Sequence, residues 1–246
     1  MNKLKVNKDA WNKVADHFFS HSALPVWGPF GIGKNQDVIG PIKNKTFLEI
    51  GFGSGHSIQY LIAKGAKKVY GIDISKTQFD FATKLNRKAI ESRKAELFET
   101  NMEKKLKLPL VDTVFSIYAL GWTVDPKKSL ANVYSYLKPG GKFIWSWDHT
   151  FFTDVEDQKN KLVVRYPYHD EHEIFLKNWK GGAPVYLTYR KTSTWFKLIK
   201  DAGFNIVGYL EPEPIIKKDL SNSYYTIHKA KNVPCSMIWI CEKTTR

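Results

Sequence analysis

Short apolar runs alternate with stretches of helical period along most of the chain, and that alternation predicts its elements in order. Residues 46–50, 68–72, 95–99, 113–118, 142–147, 204–210 and 235–241 read as strands. Between them, apolar residues recur at i, i+3 and i+4. Residues 55–64 place Ile58, Leu61 and Ile62 on one face, a long helix is expected at 75–91, and others at 126–137 and 192–202. Lys138-Pro-Gly-Gly141 stops the third of these helices and Gly203 the fourth. Ahead of the first strand, residues 9–19 predict an amphipathic helix with Trp11, Val14, Ala15 and Phe18 on one side, followed by a Pro/Gly-punctuated loop at 24–34. Repeated strand–helix units imply an α/β, doubly wound, Rossmann-like sheet of seven strands, mostly parallel, with helices on both faces.

Two stretches break this rhythm. Residues 148–190 are too many for a simple crossover. Within them, 173–179 and 185–189 read as two strands joined through Gly181-Gly182, a β-hairpin insertion of the kind that forms a lid. It is dense in aromatics: Phe151, Phe152, Tyr166, Tyr168, Phe175, Trp179, Tyr186 and Tyr189. Residues 215–234, with Lys217, Lys218, Ser221, Asn222 and Ser223, read as a polar, mobile connection. The expected organisation is one domain over 1–246, with 1–40 as helix and cap and 148–190 as the lid.

At 246 residues the chain can bury a sizeable core. No run approaches the roughly 18 apolar residues of a membrane span, and the opening Met1-Asn-Lys-Leu-Lys has no apolar signal core. A cytoplasmic protein is expected. Cys235 and Cys241, six apart on one strand, would stand roughly 20 Å apart, too far for a disulfide. The net charge of +14 raises the question of nucleic acid. Of 38 basic residues, however, five are arginine (87, 93, 165, 190, 246), leaving 33 lysines in no run longer than two. Base and phosphate readers rely on the planar arginine fork, so nucleic acid is possible as a partner but not favoured.

The most informative segment is Glu49-Ile-Gly51-Phe-Gly53-Ser-Gly55, a glycine turn between a strand and a helix, with Asp73 at the tip of the next strand. This is the layout of a nucleoside pocket at the edge of a parallel sheet. A dinucleotide fingerprint needs a third glycine where His56 stands. Glu49 would also repel a pyrophosphate, whereas a ligand carrying an ammonium and a sulfonium gains from a carboxylate. Gly28-Pro-Phe-Gly-Ile-Gly33-Lys34-Asn35 comes close to a phosphate-binding loop. Asn35 cannot supply the metal-binding hydroxyl and Pro29 lacks an amide, so a rigid connector fits better, with Trp27 and Phe30 available to cap a ligand.

With these residues in view, the chain resembles the small single-domain class I S-adenosylmethionine-dependent methyltransferases. Glu49 to Gly55 is similar to that family's first motif, Leu108 to Trp122 to the stretch around its fourth strand, and Leu137 to Lys142 to the turn before its fifth. Trp11, Ala15 and Phe18 resemble the aromatic helix that covers the cofactor. The resemblance covers roughly residues 10 to 210 and implies S-adenosylmethionine as cofactor. Glu49 would lie near its methionine end, with Gly51, Gly53 and Gly55 forming the turn. Asp73 would bind the ribose and Ile74 would pack on the adenine. Asn101 and Met102 stand where the family more often has an acid facing the adenine amino group, and Asn101 can accept that bond through its carbonyl. Ile117 and Tyr118 would border the transferred methyl.

The acceptor is less legible. A small molecule held in an aromatic pocket of the 148–190 insertion is the leading expectation, since its seven acids and six bases make it near neutral. An RNA or DNA methyltransferase, a non-catalytic cofactor-binding protein and an NAD-dependent oxidoreductase are the alternatives. His149, just past the fifth strand, is the candidate general base, with a solvated loop histidine as the plainer reading. His169 and His172 lack a third ligand for a metal site, and none is expected.

Overall fold

The computed structural model describes residues 2–19, 23–221 and 224–244. Its main sheet is built from β1 (Thr46–Ile50), β2 (Lys68–Asp73), β3 (Ala95–Glu99), β4 (Val111–Ile117), β5 (Leu137–Asp148), β10 (Phe204–Leu210) and β11 (Ser236–Lys243). The seven strands lie in the order β10-β11-β5-β4-β1-β2-β3, and only β11 runs against the rest. β1 therefore has β2 on one side and β4 on the other, and the carboxyl ends flanking it open into the crevice where α/β sheets bind ligands.

Side chains on consecutive strand residues point to opposite faces, so each central strand feeds two cores. Phe47, Phe115 and Ile144 enter one, together with Trp27, Phe30 and Ile32 of the N-terminal loop. Leu48, Val114 and Trp145 enter the other, with Trp195 and Trp239. The 24–34 segment is thus a core element in its own right. Trp27 packs edge-on to Phe115 at 6.4 Å instead of capping a ligand.

Helices α2 (His56–Ala63), α3 (Lys76–Leu85), α5 (Pro126–Tyr136) and α7 (Thr192–Asp201) fall where the periodicity places them. Three differences are instructive. The first helix, α1, spans Lys3–Lys13 and not 9–19, because Asn2 caps it by accepting the Lys5 amide at 3.1 Å. A separate turn of 3-10 helix at Ala15–Phe18 carries the downstream aromatics. The long helix expected at 75–91 breaks at Asn86, whose amide nitrogen donates to Gly55 O and Ala82 O, each at 3.0 Å, and α4 (Arg87–Glu91) follows. Finally, the polar 215–234 stretch holds α8 (Ile227–Asn232) and two half-buried tyrosines, so within the described residues it is an ordered wall. Asn222 and Ser223 lie outside those residues.

The insertion after β5 contains α6 (Thr150–Asp154) and a small hairpin, β6 (Val155–Asp157) with β7 (Leu162–Val164). The expected larger hairpin follows, β8 (Glu173–Trp179) with β9 (Ala183–Thr188). Asn7 of α1 docks this hairpin. Its Oδ1 accepts the Tyr186 amide at 2.8 Å and its Nδ2 donates to Tyr186 O at 2.9 Å, the two bonds a neighbouring strand would make. Among the described residues no helix is long and apolar enough to cross a membrane, and Cys235 and Cys241 are free and buried.

Candidate functional site

β1 ends at Ile50, and the chain turns back over β2 with the Gly51 and Phe52 amides donating to Ile72 O at 2.7 and 3.3 Å. Gly51 and Gly53 have φ of +75° and +52°, a region that penalises any side chain. A Cβ on Gly51 would lie 2.1 Å from the Ala119 Cβ, whereas one on Gly53 would meet nothing within 4 Å. Gly53 thus presents bare backbone to open space. Gly55 caps α2, and a Cβ there would strike Ala82 and Asn86. It serves helix packing and does not line the cavity.

That open space is a cavity of about 900 Å³, near the upper end for small-molecule sites. Glu49, Gly51, Gly53, Asp73, Ile74, Asn101, Met102, Ile117 and Tyr118 all line it. Asp73 accepts the Gly53 amide on one carboxylate oxygen and the Ser75 amide on the other, each at 2.8 Å. Burial outweighs these bonds and pushes its pKa up to about 6. Glu49 is buried, and burial likewise holds its carboxyl well above the usual range. Its Oε2 has no hydrogen-bond partner in the structure, a condition that a ligand ammonium would relieve. Sequence reasoning missed Glu103. It lines the cavity, accepts from Thr123 Oγ1 at 2.9 Å and the Val124 amide at 3.1 Å, and keeps Oε2 buried and unpartnered. Its only cue was lying two residues past Asn101.

The aromatic wall is not the one expected. Of the eight aromatics counted in 148–190, only Tyr166 and Trp179 reach the cavity. Trp179 instead joins a cluster assembled from three parts of the chain. Its ring centroid lies 5.0 Å from Trp11, 5.4 Å from Phe18 and 5.0 Å from Trp122. Trp147, Tyr118, Tyr224 and Tyr225 continue the wall. His149 does not line the cavity either. Its Nδ1 accepts the Phe151 amide at 3.2 Å and its Nε2 faces Glu211 at 2.9 Å, so both nitrogens serve the loop. Among the described residues no cluster of three or more histidines, cysteines or acids is placed to hold a metal.

A model of the methyltransferase domain family matches residues 48–145, the stretch that runs from within β1 through most of β5. That stretch is a methyltransferase domain, consistent with a class I S-adenosylmethionine-dependent enzyme. Solved methyltransferases share its fold. One from Mesorhizobium loti superposes with a TM-score of 0.67 at 20% identity over 82% of this chain and 92% of that one. One from Clostridium acetobutylicum gives 0.59 at 16% over 96% and 99%. At those identities the likeness is one of fold. Among curated relatives, an uncharacterized protein of Haemophilus influenzae is 26% identical over 70% of this chain and 71% of its own length. The tRNA U34 carboxymethyltransferase of Actinobacillus pleuropneumoniae is 32% identical over 43% of this chain, a match that spans about a third of that enzyme (33%).

S-adenosylmethionine fits the methyltransferase cavity on its donor and acceptor chemistry. The unpartnered Glu49 oxygen suits the amino group of its methionine end, and the bare Gly53 backbone allows close approach. The Asp73 oxygens, bonded by backbone amides that include those of Gly53 and Ser75, keep lone pairs for ribose hydroxyls.

Proposed function

We propose that this methyltransferase binds S-adenosylmethionine across the carboxyl ends of β1, β2 and β4 and methylates a small-molecule acceptor in the same cavity. In this reading Glu49 holds the methionine end, Gly51 and Gly53 let the backbone approach it, and Asp73 takes the ribose. Ile74 and Met102 pack on the adenine, with Asn101 and Glu103 available to its amino group. Ile117 and Tyr118 border the methyl. The bound cofactor supplies a methyl group already activated on a sulfonium. The protein's own contribution is to align the acceptor at near-attack distance and exclude water, worth on the order of 7–11 kcal/mol at best.

The observation that carries the small-molecule reading is the charge of the cavity. Its lining holds Glu49, Asp73, Glu103, Asp148 and Glu156 against Arg165 and Lys180, and Arg165 is already paired with Glu156. With Glu49, Asp73 and Glu103 given to the cofactor, the acceptor end keeps Asp148 against Lys180 beside the Arg165–Glu156 pair, which offers phosphates no basic trough. The named relatives favour the alternative, a nucleic-acid acceptor, and the overall charge agrees with them.

The two readings separate in one experiment. Labelled S-adenosylmethionine is incubated with the enzyme and either tRNA or the small-molecule fraction of a cell extract. Label in low-mass product supports the proposal. Label retained on tRNA, with steep loss at higher salt, replaces it with the nucleic-acid reading.

A further inference from the structure

Four residues from distant parts of the chain meet at one end of the cavity. Asp148 closes β5, Tyr118 follows β4, and Tyr224 and Tyr225 precede α8. Tyr225 donates to the Asp148 oxygens at 2.8 and 3.1 Å, while Tyr118 reaches Oδ1 and Tyr224 reaches Oδ2, each at 3.1 Å. All four line the cavity. Three phenols bring at most three protons to the four or so acceptor sites of a carboxylate, and Tyr118 is also hydrogen-bonded to Ser236 Oγ, so the carboxylate keeps acceptor capacity for a ligand.

The arrangement is held against local preference. Tyr118 has φ +53°, a left-handed conformation that a tyrosine keeps only where its surroundings fix it. Gly28 makes room for its ring, since a Cβ there would stand 2.7 Å from Tyr118 Cε2. Phe30 packs against Tyr225 at 6.3 Å, and its carbonyl accepts the Ile215 and Ile216 amides at 2.9 and 2.8 Å. The 24–34 loop, which resembles a phosphate loop in sequence, thus buttresses the tyrosines. Lys229 does not line the cavity. Its Nζ lies 3.6 Å from the Phe152 ring centroid and 4.3 Å from that of Tyr224, and it donates to Tyr224 O. Among the described residues it makes no ion pair with Asp148 and acts on that carboxylate only through space.

We propose that Asp148 is the acceptor-side carboxylate of this methyltransferase, and that the acceptor is an amine whose N–H it receives. The proposal rests on the cavity being the site of methyl transfer. An ammonium suits both the carboxylate and the aromatic rings of Tyr118, Trp122 and Trp147, which line the same cavity. Asp148 takes one proton from the ammonium and leaves a nitrogen lone pair. The lone pair forms the N–C bond as the C–S bond breaks and sulfur keeps the bonding electrons. Tyr224 and Tyr225 are positioning residues that hold the carboxylate in place.

The test is calorimetric titration of phenethylamine, at millimolar concentration, into enzyme saturated with S-adenosylhomocysteine. The wild type should bind the amine at least tenfold more tightly than the isosteric phenethyl alcohol. Asp148→Asn should weaken the amine by about tenfold to a hundredfold and leave S-adenosylhomocysteine affinity unchanged. Should that variant fold poorly, Tyr225→Phe serves as the second probe. With one phenol removed, the pH dependence of amine binding should move upward. The groups facing Asp148 that set it are Tyr118, Tyr224, Tyr225, Cys235 and Lys229. Equal binding of amine and alcohol, no amine binding, or an Asp148→Asn variant that binds amine like the wild type each overturns the proposal. Failure to bind S-adenosylhomocysteine would instead overturn the reading of the cavity itself.

Discussion

Replacing Gly53 and Gly51 in turn by alanine separates ligand approach from folding, because the two glycines share a backbone conformation but not a neighbourhood. Both have positive φ, so each alanine costs about 1–2 kcal/mol in the folded state. Gly53→Ala adds nothing further, since its Cβ meets no atom within 4 Å. For a chain of this size that cost lowers Tm by roughly 2–8 °C. Gly51→Ala adds a 2.1 Å encounter with the Ala119 Cβ, and overpacking of that kind costs about 1–3 kcal/mol more. Thermal melts and calorimetric titration with S-adenosylhomocysteine read the two effects separately. Gly53→Ala should melt within a few degrees of the wild type yet bind at least tenfold more weakly. Gly51→Ala should show the larger loss of Tm. A Gly53→Ala protein with wild-type affinity would refute the assignment of this turn to the cofactor.

Two further predictions concern pH. Burial raises Asp148 to about 6, so folding favours its protonated form; that contribution is fully present below pH 3.8 and lost as pH rises through 6. The Tm of Asp148→Asn relative to the wild type should therefore rise between about pH 4 and pH 8, whatever the cost of its lost tyrosine hydrogen bonds; a difference that stays flat or falls over that range would contradict this. Asp112 behaves in the opposite sense. It accepts from Lys138 Nζ at 2.9 Å and from the Thr46 amide and hydroxyl at 2.8 and 2.7 Å, bonds that outweigh burial and hold its pKa at about 2. Its stabilisation is present above pH 3.8 and lost as pH falls through 2. Asp112→Ala should cost about 1–2 kcal/mol at pH 7, and urea melts at pH 2 should no longer separate it from the wild type.

The parts legible in the sequence were those fixed by neighbours in the chain. The β1–turn–α2–β2 unit depends on period-two and period-3.6 spacing within about thirty residues, and it stands where the spacing places it. The β8–β9 hairpin was visible for the same reason, through Gly181-Gly182. What was hidden depends on distant partners. Tyr224 and Tyr225 read as part of a polar connection because their partner, Asp148, lies more than seventy residues away. The break at Asn86 was hidden because Gly55, thirty-one residues away, competes for its side chain. His149 drew attention through its chemistry and its place after β5, but Asp148, one residue earlier, is the one that lines the cavity.

Glu49, the glycine turn and Asp73 together would form the pocket for S-adenosylmethionine. Calorimetric titration of S-adenosylhomocysteine and NADH into the wild type and Asp73→Ala tests it directly. S-adenosylhomocysteine should bind the wild type and NADH should not, and Asp73→Ala should weaken binding by about 1–3 kcal/mol, roughly fivefold to 150-fold. Binding of NADH without S-adenosylhomocysteine, or an Asp73→Ala protein with undiminished affinity, would contradict it.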